Sequence, residues 1–151
     1  MSTEKIPVKT LLMRSIQECV ESIPGVSTVL LNPPSGTTWD ACLHPLCIIA
    51  DMNESFKLTQ NKVESTFQLQ LELYTEIDTT LDNMLLIDTL YAEILIKLQT
   101  WSRENKIWDY AKKINCVSAT RIYGYNDFNG YLMNFDVDYL TVRGNPYNVI
   151  L

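Results

Sequence analysis

The single histidine, His44, stands between Cys42 and Cys47, and these three side chains are of metal-ligating type. Their spacing matches no standard zinc pattern, and a closed zinc site needs a fourth ligand. A second metal pattern rests on carboxylates. Asp51 closes an apolar run and Glu72 falls in the next strand-like run. Metal-dependent nucleases pair an Asp with Glu-x-Lys to hold a magnesium ion and orient water. Here the third position is Tyr74, and Glu72 alternates with glutamines as on any solvated strand face. Asp136 and Asp138 share one face of a later strand, with Asp127 in the turn before it. Three carboxylates could take a divalent ion. The plainer reading is a solvated acidic face, and such a face could also line a passage for DNA. The chain has no second histidine, no Gly-x-Ser-x-Gly and no phosphate-cradling glycine loop. The expectation is a protein that is not an enzyme and uses no metal or cofactor.

A net charge of -6 on 151 residues shows no basic patch for nucleic acid. An acidic balance still suits a surface that DNA passes without sticking. Hydrophobic content of 46% and charged content of 20% are ordinary for a globular chain. The length predicts one domain over residues 1–151. Cys19, Cys42, Cys47 and Cys116 form no disulfide framework, which points to a reducing cytoplasm. Met1 to Pro7 reads as no signal peptide, and Asp88, Glu93 and Lys97 interrupt the longest apolar stretch, so no membrane span is expected.

These residues must be positioned by a small set of elements. Leu81 to Trp101 is predicted as a long helix, with Ile87, Leu90, Tyr91, Ile94, Leu95, Leu98 and Trp101 on one stripe. Met84, Leu85, Leu86, Ala92 and Ile96 widen that stripe beyond what one helix needs, so a broad cover is expected, most simply a sheet. Val8 to Ile23 predicts a first helix, stopped by Pro24-Gly25. Val26 to Leu31 predicts a short strand. The Pro33-Pro34 and Gly36 loop that follows carries Trp39 and Asp40 and runs to Pro45. Trp39 either folds back over the sheet edge or meets a partner.

Leu46 to Asp51 is a continuous apolar run, predicted as a strand covered on both faces. Met52 to Lys62 is polar and reads as a loop. Val63 to Ile77 alternates strictly. Phe67, Leu69, Leu71 and Leu73 point one way, and Gln68, Gln70, Glu72 and Tyr74 the other. Ser102 to Lys112 reads as a connector. Ile114 to Tyr125 and Tyr131 to Val142 predict a closing strand pair turned at Asn129-Gly130. The apolar tail after Pro146 has no assigned place. The order helix, strand, strand, strand, helix, strand, strand predicts an α+β domain. Its mostly antiparallel sheet has about five strands, with two helices on one face.

This order resembles the tail terminator proteins of long-tailed bacteriophages, also called tail completion or minor tail proteins. The resemblance is carried by four features. Ile23-Pro24-Gly25-Val26 leads from the first helix into a strand, and the proline-rich loop precedes an apolar strand. The run Thr66 to Tyr74 leads into a helix containing Ile87-Asp88-Thr89-Leu90, and the last hairpin ends in Phe135-Asp136-Val137-Asp138-Tyr139. The resemblance implies a structural virion protein. Copies would form a hexameric ring that caps the tail tube, ends its polymerisation and joins it to a neck or head-completion protein. DNA would pass through the lumen without specific binding. The ring would be assembled in the host bacterial cytoplasm and would contact no membrane. Gln68, Gln70, Glu72, Asp136 and Asp138 would then lie at a subunit junction or the lumen. Trp39, Asp40 and Asp127 are further interface candidates. A head-tail connector is the neighbouring expectation. A cytoplasmic α+β enzyme such as a metal-dependent nuclease is the reading from another class.

Overall fold

The computed structural model describes residues 5–33, 44–76, 81–104, 111–125 and 128–149. Its elements are α1 (Val8–Glu21), β1 (Thr28–Leu31), β2 (Leu46–Leu58), β3 (Lys62–Glu76), α2 (Leu81–Glu104), β4 (Ala111–Tyr125), β5 (Phe128–Val142) and β6 (Asn145–Val149). The strands form one six-stranded sheet in the order β1-β2-β3-β5-β4, with β6 paired to β5. Only the β1–β2 pair is parallel. The α+β class, the element order and the placement of both helices on one side of the sheet are as the sequence predicts.

The core lies between that side of the sheet and the helices. From α1, Val8, Leu12, Ile16, Cys19 and Val20 are buried, and from α2, Ile87, Leu90, Ile94 and Leu98. The alternating positions of the strands meet them: Cys47 and Ile49, then Phe67 to Leu73, then Met133, Phe135 and Val137. Period two in the strands and a stripe repeating every three or four residues in the helices therefore converge on one layer. Burial pushes the Cys19 and Cys47 thiols up to about 12. The continuous run of β2 is buried on both sides. Its other side adds a small cluster, Leu46 and Ile48 with Tyr74, on the face away from the helices.

Local chemistry fixes the ends of α1. Pro7 is its N-cap, and the Pro7 carbonyl accepts the Leu11 N–H at 3.1 Å. Ser22 closes the helix, one residue before Ile23, and Gly25 turns the chain at φ +97°. That angle lies in the region glycine adopts without penalty.

The structure corrects the sequence reading in three places. Met52 to Lys62 is not a loop. β2 continues to Leu58, the turn is closed by the Thr59 N–H to the Lys62 carbonyl at 3.0 Å, and β3 begins at Lys62. A polar strand forms here because the backbone ladder with β3, Glu54 opposite Phe67 through Leu58 opposite Val63, holds it without burying its side chains. Asn129-Gly130 is not the turn. Both residues lie inside β5, with Gly130 opposite Tyr74 and Ile122. Glycine is needed there because a Cβ would stand 1.7 Å from the Leu73 carbonyl oxygen. Finally, the tail is a sixth strand. Thr141 and Val142 of β5 pair with Val149 and Asn145, just past the point where β4 begins, with Ala111 opposite Tyr139.

The strands are long. β3 and β5 stay in register over 15 residues, from Lys62 opposite Val142 to Glu76 opposite Phe128. At about 3.3 Å per residue this ladder spans roughly 50 Å, whereas a helix rises about 1.5 Å per residue. With 14 residues, α1 is therefore less than half as long as the ladder. The sheet outruns its helical cover.

Candidate functional site

The alternation that sends Phe67, Leu69 and Leu71 to the helices sends their neighbours to the opposite face. Pairing of β3 with β5 then places Gln68 opposite Asp136, Gln70 opposite Asn134, and Thr66 opposite Asp138. Five of the residues singled out in the sequence, Gln68, Gln70, Glu72, Asp136 and Asp138, thus share one helix-free face of adjacent strands. β4 extends it with Asn115 opposite Asp136 and Thr120 opposite Leu132. Thr66 Oγ1 donates to Asp138 Oδ1 at 2.6 Å, and Asn134 Nδ2 donates to Ser118 Oγ at 3.1 Å. Glu72 is half-buried. Burial pushes its carboxyl above the usual carboxylate range, and a hydrogen bond from Tyr74 offsets part of that rise. The face is polar, with acidic members and with Lys113 of β4 opposite Asp138. Trp39, Asp40 and Asp127 lie outside the described residues.

The nuclease pattern does not assemble. Asp51 is opposite Leu69, on the helix side of the sheet, while Glu72 is opposite Ile48, on the other side. Two carboxylates separated by a sheet cannot share one ion. Among the described residues no cluster of three His, Cys, Asp or Glu side chains could hold a metal. Cys47 is buried under the helices, and Cys42 lies outside the described residues.

Asp51 instead belongs to a polar network that the sequence reading missed. A register shift between Asp51 and Glu54 turns both carboxylates to the helix side, where they meet Lys9 of α1. Lys9 Nζ lies 2.8 Å from Asp51 Oδ2 and 3.1 Å from Glu54 Oε2. Asn32, at φ +45°, donates from Nδ2 to Asp51 Oδ1 at 2.8 Å and accepts the Asp51 N–H at 3.3 Å. Asparagine tolerates that left-handed angle better than most residues. The Tyr139 hydroxyl donates to Glu54 Oε1 at 2.6 Å, and the Lys9 ammonium stands 5.2 Å from the Phe67 ring centre.

Burial works against the charge on Lys9, but Asp51 and Glu54 outweigh it and hold the ammonium above its ordinary value. Burial likewise opposes the Asp51 carboxylate, and hydrogen bonds from Lys9 and Asn32 outweigh it, so its pKa is lowered. Burial and Glu54 push the Tyr139 phenol far up. A lysine held charged is neither nucleophile nor base. The network clamps α1 to the end of the sheet. The signal in the sequence was faint: Lys9 beside the apolar stripe of α1, and Met52, Glu54, Phe56 and Leu58 alternating with polar neighbours.

A second clamp joins α2 to the sheet. Arg121 Nη1 pairs with Asp88, the Tyr131 hydroxyl donates to Asp88 Oδ1 at 2.6 Å, and Tyr131 stacks on Tyr91 with ring centres 4.2 Å apart.

A groove of about 520 Å³ opens at the end of the sheet, beyond the Lys9 network. Phe56, Leu58, Val63, Tyr139, Val142 and Pro146 line it, and no charged residue does. Such a groove can hold an apolar side chain. Compared with known proteins, the chain matches no family model and no curated protein.

Proposed function

We propose that this chain is a structural subunit of a hexameric ring that caps a phage tail tube, ends its polymerisation and joins the tail to the neck. The observation that carries the reading is a β3–β5 ladder longer than either helix and more than twice as long as α1. One of its faces is polar and acidic over Gln68, Gln70, Asp136 and Asp138, and its uncovered end is apolar. A single domain does not need such a sheet to close its core. A ring does, because each subunit must present two different surfaces to its neighbours and a third to the lumen. The acidic face lines the lumen and keeps DNA from adhering during passage. The partners are other copies of the chain, the tail tube protein and a neck or head-completion protein. The site of action is the virion, after assembly in the host cytoplasm. No helix among the described residues is long and apolar enough to cross a membrane.

Light scattering of the purified chain, alone and with purified tail tubes from the same source, tests the reading. A ring, or a monomer that becomes a ring on tube ends, supports it. A monomer indifferent to tubes overturns it. Rings that bind isolated portal complexes and ignore tubes would assign the chain to the connector instead.

A further inference from the structure

We draw no further inference here: the strongest candidate, the apolar groove lined by Phe56, Leu58, Val63 and Tyr139 at the end of the sheet, is an unpartnered surface, and nothing in the structure shows what covers it.

Discussion

Lys9 Nζ lies 2.8 Å from Asp51 Oδ2, joining the first turn of α1 to the point where β2 leaves the helices. Glu54 and Tyr139 complete the contact. Lys9→Met removes the cation and leaves two half-buried carboxylates facing each other. A loss of about 1–3 kcal/mol in unfolding free energy at pH 7 is expected from urea titration. The pH dependence has a defined sign. The lowered Asp51 pKa contributes stability above its unfolded value near 3.8 and loses it as pH falls through the folded value. The raised Lys9 pKa contributes below 10.5 and loses its share as pH rises through the folded value. The difference between Lys9→Met and the unaltered chain should therefore shrink below about pH 4. A difference that is constant down to pH 2 would contradict the assignment.

Glu72 behaves in the opposite sense. Burial raises its pKa above 4.5, so its contribution to stability is present below that value and lost as pH rises through the folded value. At pH 7 the carboxylate is a liability. Glu72→Gln keeps the shape and the Tyr74 hydrogen bond without the charge. It is expected to raise the melting temperature at pH 7 and to leave it unchanged near pH 3. An increase of equal size at both pH values would show that charge is not the cause.

Two glycines separate steric from conformational need. Gly130→Ala drives a Cβ into the Leu73 carbonyl oxygen between two central strands. A loss of about 3 kcal/mol is expected, the upper end for overpacking. Gly144→Ala meets nothing within 4 Å but must hold φ +75°. Its loss should be about 1 kcal/mol. Equal losses in parallel denaturation curves would contradict this division.

Charge reversal on the helix-free face, Glu72→Lys with Asp138→Lys, tests the proposed lumen. Asp138 accepts a hydroxyl from Thr66 and has Lys113 of β4 opposite it. Folding should survive, while assembly or DNA passage falls. The measurements are ring yield by light scattering and infectivity by plaque count. Infectivity and assembly both equal to the unaltered chain would remove this face from the lumen.

Phe56→Ser and Leu58→Ser are expected to change monomer stability by less than about 0.5 kcal/mol, because both side chains are exposed. Strand residues that matter to folding would cost more. A larger loss would mean that the two residues serve the fold rather than a contact.

Much of the architecture was legible because periodicity survives in a single sequence. Leu69, Leu71 and Leu73 of β3 and Ile87, Leu90, Ile94 and Leu98 of α2 are buried where their spacing places them. Alternation fixes the side of Gln68, Gln70, Glu72, Asp136 and Asp138 within each strand, and the sheet order, with β5 rather than β4 beside β3, brings the two strands together. The outer half of β2 was not legible. Met52 to Leu58 is mostly exposed, so its strand state is set by the backbone partner β3 and not by its own side chains. Gly130 misled because Asn-Gly favours turns locally, whereas its role here is to admit the Leu73 carbonyl from another strand.

The sequence by itself determined the class of fold, the order of its elements and the residues that meet in its core, since these follow from local spacing of apolar side chains. Only the tertiary structure decided which polar residues meet. The shift between Asp51 and Glu54 turns both toward Lys9, and the sheet puts Asp51 and Glu72 on opposite sides. Register is a property of two strands together, and a one-residue difference reverses every side chain beyond it. The same holds for the uncovered end of the sheet: its length relative to the helices exists only once both are packed.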